Sequence, residues 1–333
     1  MTSAHGAGGK ASGQLISQIF IDAFGQPDPD ELRDSAVLAW GVGGLGSLAF
    51  TTDSYVVTPI RFPGGSIGDL AVNGTVNDLA VTGAQPRYLT AAFVLGEGLE
   101  LEMLRGVVAD MAQAAEKAGV RIVAGDTKVV PGLDGLHITT SGVGFVPGER
   151  RLGVRHVRPG DKLILSGPVA AHGMAVLLAR GDLALFAEIE SDSAPVNGLV
   201  EALYSAASPD EIHWMRDATR GGLATIANEL ATASGLGVLL DDGSIPVADE
   251  VRGACDMLGI DPLYVANEGC FLAVVAPDAA SAALEALHGA GAEQAAVIGE
   301  LAEEPRGLVA VRNAFGGTRL VDMLVGDPLP RIC

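Results

Sequence analysis

The pattern of apolar and polar positions divides the chain into short alternating segments and longer helical ones. Residues 49–58, Ala-Phe-Thr-Thr-Asp-Ser-Tyr-Val-Val-Thr, are rich in β-branched and aromatic side chains and end at Pro59, which predicts a strand. Residues 70–82 predict a helix stopped at Gly83, with Pro86 beyond. Asp69, Asn73 and Asn77 recur there at i, i+4 and i+8 as one polar stripe, and Asp78 falls nearly opposite. Residues 100–118 predict a second helix, with Leu101, Leu104, Val107, Val108, Met111 and Ala115 on its buried side and Gly119 as its stop. A strand at 120–124 runs into Gly125-Asp126-Thr127-Lys128, and strands follow at 129–130 and 137–146. His137, between Leu136 and Ile138, reads as a core histidine rather than a base. Pro147-Gly-Glu-Arg-Arg and Arg158-Pro-Gly-Asp161 interrupt the apolar pattern and place a boundary near 150–160.

The second half begins with a strand at 162–166, helices at 172–179 and 196–207, and a helix opened by Arg216-Asp-Ala-Thr-Arg-Gly-Gly222. In that helix Leu223, Ile226, Ala227, Leu230 and Ala231 keep the 3.6-residue period. Further segments alternate at 237–241, 249–258, 269–276, 278–288, 295–301 and 308–312. Strands and helices mix in both halves, so the expected fold is α+β (mixed α/β) in two domains. The expected division is a glycine-rich segment with a short helix at 14–24 (1–35), a first domain (36–155), a second (156–315) and a tail (316–333).

Composition narrows the picture. At 333 residues the chain has room for two buried cores, and 48% hydrophobic content with 5% aromatic makes them Ala-, Val-, Leu- and Ile-rich. With 41 acidic against 21 basic residues the net charge is −20, which argues against a nucleic-acid partner and suits carboxylates kept for metal ions. Cys255, Cys270 and Cys333 form neither a disulfide framework nor a zinc pattern. The first residues carry no apolar signal core and no apolar run approaches a membrane span, so a cytoplasmic protein is expected.

Several short motifs carry chemistry. The segment Asp327-Pro-Leu-Pro-Arg-Ile-Cys333 favours an extended course because prolines at alternate positions remove backbone donors, and Gly326 ahead of it offers a swivel. Extended, its tip reaches roughly 25 Å. An exposed thiol without a use is a liability, so a functional and an incidental Cys333 are both open. A prenylation box is disfavoured because no residues follow it. Residues 5–13 are glycine-rich around Lys10; amides at Gly8 and Gly9 can wrap phosphate, although the Walker spacing is absent. Asp53 inside a strand asks for a cation or donors. Gly125-Asp126-Thr127-Lys128 fits a phosphate and metal arrangement or a turn ion pair. Arg216 to Gly222 fits an anion or Mg2+–phosphate site, or a capping motif with Thr219 as one candidate cap. Ala266-Asn267-Glu268-Gly269 is a polar break between apolar runs.

Taken together and in order, these stretches resemble the HypE-type hydrogenase maturation proteins. That family belongs to the superfamily of aminoimidazole ribonucleotide synthetase, selenophosphate synthetase and thiamine monophosphate kinase. The resemblance covers nearly the whole chain. It rests on His5-Gly6 through Lys10, Thr51-Thr52-Asp53-Ser54-Tyr55, Phe62-Pro63-Gly64-Gly65, Gly74-Thr75-Val76-Asn77-Asp78-Leu79-Ala80 and Gly125 to Val129. It continues through Arg216-Asp217, Thr219 to Gly222, Ala266 to Gly269 and, most specifically, Pro330-Arg331-Ile332-Cys333. It departs at Gly96-Glu97, where paired acids are expected, and at Cys270, read as a small core residue.

The resemblance implies a homodimeric, ATP-dependent carbamoyl dehydratase of the aminoimidazole-ribonucleotide-synthetase-like fold, with ATP binding and dimerisation in the first domain. A HypF-type carbamoyltransferase would load the Cys333 thiol, and a HypC–HypD-type iron scaffold would receive the resulting cyanide for nickel–iron hydrogenase. Carried onto this chain, it implies that Glu268 is the general base and that Lys128 and Lys10 meet phosphate charge. Asp53, Asp78, Asp126 and Asp217 would serve Mg2+. Gly8, Gly9, Asp69, Asn77, Thr127, Arg216 and Arg220 would hold the nucleotide. The alternatives are a non-catalytic thiol carrier or another ATP-dependent synthetase of the superfamily. The selenophosphate synthetases carry their reactive Cys or selenocysteine near the N-terminal Gly-Lys, and residues 1–13 here contain none.

Overall fold

The computed structural model describes residues 35–39, 46–183, 185–313 and 315–323, together with Lys10 and Gln14. The glycine-rich stretch with Gly8 and Gly9, most of the expected 14–24 helix, and Cys333 lie outside the described residues.

The first half contains β1 (Ala36–Ala39), β2 (Gly46–Tyr55), the small hairpin β3 (Arg61–Phe62) and β4 (Gly65–Ser66), and α1 (Ile67–Val81). It continues with β5 (Gln85–Gly96), α2 (Leu101–Ala118), β6 (Arg121–Val130) and β7 (Leu136–Pro147). Five strands form one sheet in the order β1-β2-β7-β5-β6. β5 and β6 are parallel, joined through α2; the other pairings are antiparallel. In β7 buried residues alternate strictly with more accessible ones, the signature of a sheet covered on one face. Leu70, Ala71 and Val76 of α1 cover that face with Leu89, Ala91 and Ile138 of the sheet. α2 closes on α1 at Gly68, where a Cβ would come within 2.3 Å of the Val107 carbonyl. The opposite face leaves Leu38, Phe50, Tyr88 and Val94 exposed.

The second half contains β8 (Lys162–Leu165), α3 (Ala171–Ala179), α4 (Asn197–Ala206), β9 (Ile212–Asp217), α5 (Gly222–Ser234), β10 (Gly237–Asp241) and α6 (Asp249–Leu258). β11 (Phe271–Val275), α7 (Ala280–Gly289), β12 (Ala296–Ala302), β13 (Val309–Arg312) and β14 (Thr318–Val321) complete it. Its seven strands run in the order β14-β13-β10-β12-β8-β11-β9. Apolar clusters lie on both faces, one holding Leu163, Leu165, Leu272 and Val274, the other Ile164, Phe271, Ala273 and Val275. Burial on both sides is why β8 and β11 read as continuous apolar runs rather than alternating ones.

The structure departs from the sequence reading in four places. Asp126-Thr127-Lys128 lies inside β6, because β5 continues opposite it through Gly96. Arg216 and Asp217 end a strand, β9, rather than opening a helix. His137 is half-buried on the open face of the first sheet and not in a core. The second sheet extends to Val321 in β14, past residue 315.

Entry into the second half depends on a buried pair. Asp161 is 2% exposed, accepts from the Arg158 backbone N–H at 2.7 Å and lies 2.6 Å from His213 Nδ1 on β9. Replacing Asp161 with alanine strands both donors, at a cost of about 2–3 kcal/mol. The expected result is a fall in thermal midpoint of roughly 5–10 °C, read by scanning calorimetry.

Candidate active site

The two halves meet around a cleft of about 280 Å³ lined by residues from both. β2 contributes Thr51, Asp53 and Tyr55, and α1 contributes Gly74 and Asp78. From the other half come Arg216 and Asp217 at the end of β9, Thr219 and Arg220 in the turn before α5, and Glu268 from the break before β11. The period of two along β2 puts Thr51 and Tyr55 on the side covered by α1. Gly74 lets Tyr55 cross the helix, since a Cβ there would stand 2.3 Å from the phenolic oxygen. Thr51 Oγ1 donates to Asp78 Oδ2 at 2.8 Å, and Asp53 Oδ1 accepts from the Ser54 N–H at 2.7 Å. Arg220 Nη2 reaches across to Asp53 Oδ1 at 3.8 Å, while Arg216 Nη1 lies 3.3 Å from Glu229 on α5.

The Thr219–Gly222 turn is shaped by its glycines. Gly221, rather than Thr219, is the N-cap of α5, with φ of 76°. Gly222 has φ of 60°, and a Cβ on it would come within 2.5 Å of the Val265 carbonyl. Gly222→Ala is therefore strained in backbone and in contact, with an expected loss of about 2–4 kcal/mol. The check is the urea midpoint of the variant against the parent.

Glu268 is fixed by its main chain. Asn77 Nδ2 donates to the Glu268 carbonyl at 3.1 Å and to the Ala194 carbonyl at 3.0 Å, while Asn77 Oδ1 accepts from Val196 N–H at 2.8 Å. The Asp192 carboxylate accepts from the N–H groups of Glu268 and Gly269, each at 3.1 Å. Asn267, fully buried, accepts from Ala170 N–H at 2.6 Å and donates to the Ala218 carbonyl at 2.7 Å. The loop is therefore tied to α1, to the 191–196 segment and to the end of β9.

Burial and like charge set the electrostatics. Burial above all, then the charges of Asp192, Asp217 and Asp53, raise the Glu268 carboxyl well above the ordinary glutamate range. Burial pushes Asp192 up to about 6 despite its N–H donors. Tyr55 is raised by burial and by Asp53 and Asp78. Burial also keeps His172 neutral, its pKa lowered to about 3, and pushes the Cys270 thiol up to about 12, consistent with a core residue.

Six residues singled out from sequence converge here: Asp53, Asp78, Arg216, Asp217, Arg220 and Glu268. Asn77 is adjacent, its amide engaged in bracing. Asp69 stands elsewhere: it forms a capping box with Ser66 at the start of α1 and lines a separate cleft with Arg61, Asn73 and Asp110. Asp126, Thr127 and Lys128 are exposed on edge strand β6, with Lys128 paired to Asp126, and β7 and β5 intervene between them and β2. Lys10 is 3.5 Å from Asp322, just past β14. Sequence reasoning had Thr51 and Tyr55 only as part of the motif around Asp53, with no role assigned, and it missed Asp192. The Ser-Asp-Ser-Ala-Pro run at 191–195 was its available signal, a polar stretch with no period to assign it.

Among the described residues, no three His, Cys, Asp or Glu side chains stand close enough to hold a metal ion by themselves. The hard carboxylates of Asp53, Asp78 and Asp217 around the cleft nevertheless fit Mg2+, which takes one or two carboxylates and completes its shell with phosphate oxygens and water. No helix among the described residues is long and apolar enough to cross a membrane.

Comparison with known proteins agrees with this geometry. Models of the N- and C-terminal domains of AIR synthase related proteins match residues 32–146 and 158–312. The carbamoyl dehydratase HypE of Rhodobacter capsulatus is 50% identical over 342 residues, spanning 100% of this chain and 98% of the relative. A crystal structure of a HypE–HypF complex superposes with a TM-score of 0.86 at 41% identity, over 93% of this chain and 99% of that one. HypE in complex with ATP gives 0.82 at 44% identity, over 99% and 98%. The two halves, the acidic cleft between them and the identity along the whole length lead to one conclusion: the chain belongs to the HypE carbamoyl dehydratase family of AIR synthase related proteins.

Proposed function

We propose that this protein dehydrates an S-carbamoyl group carried on its own Cys333 to an S-cyano group at the expense of ATP, supplying the cyanide ligand of nickel–iron hydrogenase. The observation that carries the reading is the convergence of three aspartates, two arginines and a buried glutamate on one inter-domain cleft. The ATP complex and the HypF complex of HypE relatives support it.

A carboxamide oxygen is a poor leaving group. Transfer of the γ-phosphoryl group to that oxygen makes it a good one, and such transfer needs positioning and charge neutralisation more than covalent help. Loss of the N–H protons and rupture of the C–O bond then give the C≡N group, ADP and phosphate, the carboxamide oxygen leaving in the phosphate. Glu268 takes a proton from nitrogen; burial and its acidic neighbours make it a stronger base than an ordinary glutamate. Asp53, Asp78 and Asp217, with Asp126, would hold Mg2+, which supplies charge neutralisation. Arg216, Arg220, Lys10, Lys128, Thr127 and the amides of Gly8 and Gly9 would hold phosphates, while Asn77 supports the site from α1 by bracing the Glu268 main chain. With the carbamoyl oxygen labelled with 18O, the expected result is label in the released phosphate. Label retained on the protein contradicts the mechanism.

A HypF-type carbamoyltransferase would load Cys333 and a HypC–HypD-type scaffold would take the cyanide, all in the cytoplasm. The protein acts as a homodimer, and the uncovered sheet face supports this. That face spans about 800 Å² from strand spacing and length, the size of one side of a standard interface. It carries Leu38, Phe50, Tyr88 and Val94, all exposed. Asp126 and Lys128 pair across to Ala92 and Val94 on β5, so the same face brings them to the joint, from which they could serve the partner's cleft. Val94→Glu should convert a dimer to a monomer in sedimentation equilibrium and lower dehydration at least tenfold; an intact dimer would place the contact elsewhere.

A further inference from the structure

We propose that Asp192 is a positioning residue for dehydration: its carboxylate clamps the main chain of Glu268 and Gly269 and thereby fixes the Glu268 carboxyl in the cleft. The inference rests on Glu268 acting as the base. Asp192 does not line the cleft, so it acts through Glu268 rather than on the substrate.

The geometry makes the clamp rigid on both sides. The 191–196 segment crosses between the halves and is anchored on each flank of Asp192. Ser191 N–H donates to the Pro63 carbonyl at 2.9 Å, and Ser191 Oγ lies 2.8 Å from His172 Nδ1. Ser193 Oγ accepts from Asn73 Nδ2 at 3.1 Å, and Ala194 and Val196 are held by Asn77. Between these anchors the carboxylate has no latitude. It meets Glu268 N–H with one oxygen and Gly269 N–H with the other, both at 3.1 Å. Asn77 holds the Glu268 carbonyl from the opposite side, so the residue is pinned at both peptide groups. Contact is direct: a Cβ at position 269 would stand 1.9 Å from the Asp192 carbonyl.

A carboxylate is the group that accepts two N–H bonds without offering a competing donor. Asparagine keeps one acceptor and turns an NH2 against the second N–H. The buried carboxylate is otherwise a costly choice; besides the Glu268 and Gly269 N–H groups, the His172 backbone also favours its charged form. Its loss should let Glu268 shift, and a misplacement of about 1 Å can cost about 100-fold in rate.

The test compares the carbamoylated full-length protein with its Asp192→Asn, Glu268→Gln and double variants, reading single-turnover water loss by intact mass with Mg-ATP. Asp192→Asn should slow the step about 10- to 100-fold with KM for ATP unchanged. The double variant should be no slower than Glu268→Gln alone, because Asp192 acts through Glu268. Losses that multiply in the double variant, or a fast Asp192→Asn beside a slow Glu268→Gln, overturn the proposal. A fast Glu268→Gln removes the base itself from the account, and the proposal with it. Asp192→Ser, which keeps a single short acceptor, guards against misfolding: slow dehydration at unchanged KM in both variants supports positioning, and losses that follow the unfolding midpoint overturn it.

Discussion

Cys333→Ala is expected to abolish carbamoyl loading altogether and to reduce ATP consumption to background, the largest effect of any single substitution in this chain. Cys255 is buried with its thiol pushed up to about 11, and Cys270 is buried with its thiol pushed up to about 12. At neutral pH neither is an accessible thiolate, and the thiolate is the nucleophile. Neither can replace Cys333 as the acceptor. The measurement is intact mass after incubation with a HypF-type partner, carbamoyl phosphate and ATP. Loading of the alanine variant to the parent level would remove Cys333 from the account.

Glu268→Gln is expected to be next in size, slowing water loss about 10²- to 10⁴-fold, the usual contribution of a positioned base. ATP binding should persist, because Glu268 is 7% exposed and, in the proposed role, meets the carboxamide nitrogen while the arginines and Mg2+ meet the phosphates. The pH dependence follows from the sign of its shift. A base must be ionised, and Glu268 ionises only above the ordinary glutamate range because burial and the charges of Asp192, Asp217 and Asp53 oppose it. The rate should therefore rise with pH through that raised value and fall away below it. A flat rate down to the ordinary glutamate range would contradict Glu268 as the base.

The fold was largely legible in the sequence because its helices carry their own punctuation. α1 ends ahead of Gly83, α2 ends at Gly119, and the segment at 237–241 was read with the bounds it has. β9 was missed because Ile212-His-Trp-Met is short, buried throughout and followed by charges, so it offers no period to read. β6 was cut short for a related reason. Nothing in Asp126-Thr127-Lys128 says strand; the parallel partner β5 imposes it.

The candidate site shows the same division. Asp53 stood out as a carboxylate inside a strand and Glu268 as a polar break between apolar runs, while Asp78 and Asp217 entered through the family resemblance. Asp192 did not, because the donors that explain it, the N–H groups of Glu268 and Gly269, lie 76 and 77 residues away. Asp69 shared a stripe with Asn73 and Asn77, yet the Ser66 cap claims it, and a capping box is as local a signal as any in the chain.

The most direct test of the central claim is sequential intact mass on the full-length protein. After loading with a HypF-type partner, the account requires a gain of one carbamoyl group, located on Cys333. On addition of Mg-ATP it requires loss of one water, with none lost when ATP is withheld. Loading that persists unchanged in Mg-ATP would mean that the protein carries the group without dehydrating it, and would contradict the account.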